Sequence, residues 1–264
     1  MQKTKFRKFV AGLLPSRLRD FAGRWYFWFH ERFIRPVLGL LFDMLGGHFH
    51  VDGCKIEVPK DLTTRSYRGC FIMSDYEAEE RALIKKHLLP SDSVLELGAC
   101  IGVVACVTNR LLTDKSRHVV VEGNPRLISS IEKNREINEC GFKVLNKAAS
   151  QDKTVTFYLS EEFIVGGTAQ RKSAHPVTVD GITLEELNQQ HGPFSALIMD
   201  IEGGEVDTIP FSIEFLKQCR LVVWETHDWA CGAEATQRCR DALTAAGLSY
   251  LETEGDTEAW LRLN

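Results

Sequence analysis

Five short apolar runs, SVLEL, RHVVVEG, FKVLNKAAS, SALIMDIEG and RLVVWETH, recur along this chain with segments of helical spacing between them. A strand that is apolar on both faces has to be covered on both, and a parallel sheet flanked by helices does this. The pattern predicts an α/β fold, a doubly wound and mostly parallel sheet. LSYLET and EAWLRL at the C-terminal end bring the sheet to seven strands, and TVTFYLS is an extra one. Helices are expected over SDYEAEERALIKKHLL, with Ser74 and Glu77 as a capping box, and over NPRLISSIEKNREINECG, with Pro125 in its first turn. TLEELNQQHG and CGAEATQRCRDALTAAG are expected helices as well, whereas HFHVDGCKIEVP reads as a hairpin turning at Asp52-Gly53.

The sequence before this body differs in charge. Residues 1–47 carry nine Lys/Arg against Asp20, Glu31 and Asp43, a charge of +6, which leaves −10 for the rest of a chain whose net charge is −4. The expected division is a basic, aromatic-rich helical segment over 1–50 and a catalytic-type domain over 51–264. Charged residues interrupt the apolar stretches of the segment, and none approaches the ~18 residues that a spanning helix needs. Leu18, Phe21, Trp25, Trp28 and Phe29 share one helical face. That face either packs on the body or a second subunit, or lies in a lipid headgroup layer, a peripheral membrane contact through residues 1–45. Eight scattered cysteines without a C-x-x-C pair read as free thiols in a reducing, cytoplasmic compartment. The acidic body points away from a nucleic-acid partner. His48 and His50 read as outward residues of a strand, with no metal ligand beside them at suitable spacing.

In a doubly wound sheet, ligands bind beyond the carboxyl ends of the strands where the strand order reverses. The first such end is Glu-Leu-Gly-Ala-Cys-Ile-Gly. Gly98 lets the backbone leave the strand, and Gly102 lets the next helix approach. Glu122, 26 residues beyond Glu96, stands where a carboxylate accepts hydrogen bonds from ribose hydroxyls. A third glycine for a diphosphate is missing, and Glu96 at the turn would repel one. The turn therefore fits a nucleoside carrying an ammonium group better than a nicotinamide dinucleotide.

Taken in order, DYEAEE, ELGACIG, EGNP, TLEEL, MDIEGGE and VVWETH resemble the pattern of the FkbM-type methyltransferases, a branch of the class I, Rossmann-like S-adenosylmethionine-dependent enzymes, over about residues 70–230. The resemblance implies S-adenosylmethionine as cofactor. The implied reaction is O-methylation of a sugar, a glycan or lipid-linked sugar, or a small metabolite. By position it places Glu96, Gly98, Ala99 and Gly102 in the cofactor loop. Glu122, followed by Gly123 and Asn124, falls at the ribose, Ala148 near the adenine, and Asp200 beside the transferred methyl group. Asp200, Glu202 and His227 are the candidates for taking the acceptor's proton, and Glu202, Glu205 and Tyr76 for meeting the acceptor. Glu202 and Glu205 could instead bind a divalent metal that lowers a hydroxyl's pKa, but no histidine accompanies them in the sequence and no metal is the expectation. Cys100 replaces the Asn of the loop pattern, Gly123 replaces a Pro, and Ile198 stands where many members have Lys. The loss of that lysine keeps a second reading open, a catalytically silent binding or scaffolding protein on the same fold.

Overall fold

The computed structural model describes residues 30–73, 76–159, 166–167 and 175–263. The expected helical face from Leu18 to Phe29 and the expected cap Ser74 lie outside the described residues. A turn over His30–Ile34 leads into helix α1 (Arg35–Met44), with Pro36 at its start. Strands β1 (His48–Val51) and β2 (Cys54–Glu57) make the expected antiparallel hairpin, with Phe49 buried between half-buried His48 and exposed His50. Helix α2 (Arg65–Ile72), capped by the Thr64 hydroxyl, crosses α1 so closely that a Cβ on Gly39 would sit 1.8 Å from the Arg65 carbonyl oxygen. Phe42, Phe49, Ile56 and Phe71 share one core cluster with Ile101 and Val103. The expected division at 50/51 therefore falls inside a hairpin, and α1 packs as part of the body.

The chain continues through α3 (Ala78–His87), β3 (Val94–Leu97), α4 (Val103–Leu111), β4 (His118–Glu122), α5 (Ile128–Ile137) and β5 (Lys143–Asn146). Four further strands, β6 (Ala148–Ala149), β7 (Thr154–Leu159), β8 (Gly166–Gly167) and β9 (His175–Ile182), form a separate sheet in the order β6-β9-β7-β8. Then follow α6 (Leu184–His191), with a full capping box at Thr183 and Glu186, β10 (Ala196–Met199) and β11 (Leu221–Glu225). Helix α7 (Ala233–Ala245) and strands β12 (Ser249–Glu254) and β13 (Thr257–Leu261) close the fold.

The main sheet has seven strands in the order β12-β13-β11-β10-β3-β4-β5. β11, β10, β3, β4 and β5 pair in parallel, and β13 alone runs against the rest, antiparallel to both β11 and β12, as the expected α/β fold class allows. Every residue of β3, β4 and β10 is buried, which is why these segments read as mainly apolar runs, with Glu96, His118 and Glu122 as buried exceptions. From β3 the chain winds outward through β4 and β5, then returns to lay β10 on the other side of β3 and winds outward through β11. The strand order reverses between β3 and β10, so the carboxyl ends Leu97 and Met199, paired in register, open the crevice. All eight cysteines are free thiols.

Candidate active site

At the switch point the backbone of Gly98 is bonded through its N–H to the Val121 carbonyl at 2.9 Å, and Asp200 N–H to the Leu97 carbonyl at 3.0 Å. Gly98 has φ +81°, and a Cβ there would lie 1.7 Å from the Asp200 carbonyl oxygen. Glycine is needed at Gly98 for both conformation and space. Gly102, first residue before α4, has φ +84°, but a Cβ on it would meet Ile131 Cγ2 at an ordinary 3.5 Å. The expectation that Gly102 permits close helix approach is thus corrected: it supplies a left-handed turn.

Glu122 holds this loop to the end of β4. Its Oε2 accepts from the backbone N–H of Ala99 and of Cys100, both at 3.0 Å, and Oε1 accepts from Asn124 N–H at 2.7 Å. Burial raises the Glu122 carboxyl above the usual range, against the pull of those backbone donors. A carboxylate has about four acceptor positions, and backbone donors of the loop take most of them, leaving little for the ribose hydroxyls expected there.

A cavity of about 1020 Å³ opens between these strand ends and the second sheet. Tyr76, Gly98, Glu122, Gly123, Ala148, Asp200 and Glu202, all singled out in the sequence, line it. Ala99, Gly102 and Asn124 shape the loop without lining the cavity. Glu96 does not face it. Side chains alternate along β3, so Leu95 and Leu97 enter one core cluster while Glu96 points to the opposite face. There Glu96 Oε2 lies 3.2 Å from His118 Nε2, fully buried. Ile198 is also fully buried in the core and apart from the lining, so the position of the missing lysine is a packing position here.

The described lining carries six carboxylates, Glu77, Glu122, Asp152, Asp200, Glu202 and Asp207, against the single cation Lys147. Of the two expectations for Glu77, helix cap or a cover for the cofactor beside Tyr76, the cap is not found. Helix α3 begins at Ala78, and Glu77 before it has φ 49° with no side-chain cap bond. Its Oε2 is buried and unpartnered, and burial, then the charges of Asp200 and Glu96, raise the carboxyl well above the usual range. Neither Glu77 nor the αL conformation of Cys100 (φ 50°) is signalled by sequence spacing. Tyr67 and Tyr76, edge to face with centroids 5.9 Å apart, close that side.

At the end of β10, Asp200 and Glu202 meet His227, which follows β11 and is 4% exposed. His227 Nε2 lies 3.5 Å from Asp200 Oδ1 and 3.8 Å from Glu202 Oε2. Its Nδ1 is 3.2 Å from Glu205 Oε1, an ion-pair contact outside hydrogen-bond geometry. Glu205 does not line the cavity. Its carboxylate accepts from Ile201 N–H at 2.8 Å and Gly203 N–H at 2.9 Å, fixing the loop that carries Glu202. Burial, then repulsion from Glu225 and Glu202, pushes the Asp200 carboxyl up to about 8. Burial opposes charge on His227, but Glu205, Asp200 and Glu202 outweigh it and raise the imidazole to about 9. The fold therefore brings together Asp200, Glu202 and His227, the three candidates for taking the acceptor's proton.

The family described as Methyltransferase FkbM domain matches residues 96–254. No curated protein matches the chain. Among solved structures it is similar to a methyltransferase from Pyrococcus furiosus, at 14% identity over 89% of this chain and 99% of that one, with a TM-score of 0.46. It is similar to fibrillarin of Aeropyrum pernix with bound S-adenosyl-L-methionine, at 14% identity, 69% and 73% coverage and a TM-score of 0.44. A third likeness is to the O-methyltransferase from Bacillus cereus in complex with SAH, at 12% identity, 89% and 95% coverage and a TM-score of 0.42.

Proposed function

The chain belongs to the methyltransferase FkbM domain family, and from that premise we infer that it methylates a hydroxyl oxygen of a sugar or other small acceptor that carries no phosphate. The cofactor is S-adenosylmethionine, which when bound supplies a methyl group on a positively charged sulfur. The residues present fit it. Gly98 lines the cavity and brings β3 against the Asp200 backbone, and Glu77 Oε2 is a buried acceptor without a partner, suited to an ammonium group. Glu122 lines the cavity at the end of β4, where the ribose is expected, and Ala148 lends an apolar wall for the base.

The observation that carries the acceptor class is the charge of the cavity, six carboxylates against Lys147 among the described lining residues. Such a lining attracts a cationic cofactor and repels phosphate groups on an acceptor. The chain's own task is alignment and proton handling. Holding two reacting groups in line contributes about 7–11 kcal/mol, and removing the hydroxyl proton contributes about 10²–10⁴-fold. We assign that activation to the Asp200, Glu202 and His227 cluster, which borders the cavity and is locked from behind by Glu205. The test is mass spectrometry of small-molecule extracts incubated with purified protein and isotopically labelled methyl donor. A labelled methyl ether on an unphosphorylated compound is expected. Micromolar cofactor binding by calorimetry with no labelled product in any extract would instead identify a silent binding protein.

We also propose that residues 1–45 touch an anionic membrane surface. Val37, Leu40, Leu41, Met44 and Leu45 are exposed along α1 while Gly39 and Phe42 face inward, and the segment to residue 47 carries +6. Among the described residues no helix is long and apolar enough to cross a membrane. Flotation with phosphatidylserine vesicles should carry the wild type and not Val37→Glu/Met44→Glu. Equal flotation of both, or none with the wild type, rejects the contact.

A further inference from the structure

The cluster beside β10 has the donor set and spacing of a cation site. A single divalent ion holds imidazole nitrogen and carboxylate oxygen at about 2.0–2.2 Å, so its ligand atoms stand about 3.0 Å apart at right angles and about 4.2 Å apart in line. The 3.5 and 3.8 Å separations from His227 Nε2 to Asp200 Oδ1 and Glu202 Oε2 fall in that interval, and the ligand atoms all lie within 4.8 Å of one another. Both separations exceed the length of a normal hydrogen bond.

A second observation points to a ligand. His227 is 4% exposed and turns Nε2 into the cluster, beyond hydrogen-bond length of either carboxylate. Asp200 Oδ1, facing the same space, is also buried and unpartnered. Behind the ring, Glu205 stands 3.2 Å from Nδ1 with its carboxylate fixed by two backbone N–H groups. A carboxylate behind the far nitrogen is the usual support of a metal-bound histidine, setting its tautomer so that the near nitrogen is free to coordinate.

We propose that Asp200, Glu202 and His227 bind one divalent first-row cation at the wall of the cofactor cavity. One imidazole with two carboxylates suits Mn²⁺ or Zn²⁺ better than Mg²⁺ or Ca²⁺, which favour all-oxygen sites. In its functional part the proposal rests on the methyltransferase reading: the cation receives the acceptor oxygen and lowers its pKa. The hydroxyl proton then passes to solvent and the oxygen lone pair forms the bond to the methyl carbon. The bonding pair of the broken S–C bond stays on sulfur, leaving a neutral thioether.

The test is a titration of chelator-treated full-length protein with MnCl₂, reading free Mn²⁺ by electron paramagnetic resonance, beside calorimetry with S-adenosylmethionine. One Mn²⁺ per chain is expected, weakened at least about tenfold in Glu202→Gln and in His227→Asn and unchanged in Glu214→Gln, an exposed acid on another surface. Should the buried His227 variant fail to fold, the half-buried Glu202 variant decides alone. An undiminished Mn²⁺ signal at millimolar metal overturns the proposal, as does equal binding by Glu202→Gln and wild type. Cofactor binding without Mn²⁺ binding sinks the cation and leaves the methyltransferase reading standing. Mn²⁺ binding without cofactor binding does the reverse.

Discussion

The two glycines of the cofactor loop make a matched pair for a quantitative test, because they share a backbone conformation and differ in the space around them. Gly98 and Gly102 have φ of +81° and +84°, and forcing an L-residue into that region costs roughly 1–2 kcal/mol. For Gly102→Ala this is almost the whole effect, since the new Cβ would meet Ile131 at 3.5 Å. For Gly98→Ala the new Cβ would stand 1.7 Å from the Asp200 carbonyl oxygen and 2.8 Å from its carbon, both backbone atoms. Asp200 is itself tied to Leu97 by a 3.0 Å hydrogen bond, so relief requires strands β3 and β10 to part. Overpacking of this kind adds about 1–3 kcal/mol. Alanine also restricts the unfolded chain, returning about 0.4–1 kcal/mol in both variants.

The expected losses are therefore about 0.5–1.5 kcal/mol for Gly102→Ala and about 2–4 kcal/mol for Gly98→Ala. Urea unfolding followed by circular dichroism measures both, provided the slopes agree and the midpoints alone differ. Cofactor titration supplies an independent reading, because Gly98→Ala displaces Asp200 and Gly102→Ala does not. Equal midpoints, or a larger loss for Gly102→Ala, would refute the argument from close approach.

Glu122→Ala should weaken S-adenosylmethionine binding by ~1–3 kcal/mol, read by calorimetry; unchanged affinity would show that Glu122 serves the loop alone. Cys100→Asn should hold or raise the melting temperature, since Asn tolerates the αL conformation that Cys100 adopts at φ 50° and can meet the Tyr67 hydroxyl now 3.8 Å from Sγ. A fall of several degrees would show that the thiol's packing matters more than its backbone. The Arg68 guanidinium, bonded to Asp43 at 2.7 and 2.9 Å, holds that carboxyl below its ordinary 3.8. A carboxyl whose folded pKa is depressed stabilises the fold above the unfolded value and loses that contribution as pH falls through the folded one. Asp43→Asn should thus cost ~1.5–3 kcal/mol at pH 7 and flatten the decline in stability below pH 3.8. An unchanged acid limb in the variant would remove Asp43 from the account.

How far the sequence could be read depended on whether a property was local. The strands were legible because β3, β4, β10 and β11 are covered on both faces and so are mainly apolar. The capping box of α6 was there in Thr183 and Glu186. The start of α3 was misread, since the left-handed turn at Glu77 replaces a side-chain cap with a conformation that no propensity signals. Helix α5 begins at Ile128 rather than at Pro125, after a turn in which Asn124 Oδ1 accepts from Arg126 N–H, and the left-handed Glu139 (φ 51°) follows its end. In the site, Gly98, Glu122 and Asp200 were legible as strand ends. The direction of Glu96 was not, because one residue of register separates the cavity face from the His118 face. Nor was the meeting of His227 with Glu202, which depends on the parallel pairing of β10 with β11.

Backbone strain explains why acids at neighbouring positions take different parts. Among the described residues five non-glycines have positive φ, and three of them, Glu77, Cys100 and Glu202, line the cavity from separate loops. Each such conformation costs about 1–3 kcal/mol and persists only where its surroundings over-determine it. Each loop here has its own charged clamp on backbone groups. Arg81 donates to the Tyr76 carbonyl at 3.0 and 3.2 Å, Glu122 accepts from Ala99 and Cys100, and Glu205 accepts from Ile201 and Gly203. Glu205 is buried, spends its carboxylate on two backbone donors and does not line the cavity, so it belongs to the scaffold although it lies only three residues from Glu202. Glu77 and Asp200 are left short of partners by the backbone, and their orphaned oxygens stand at the same crevice, open to a ligand.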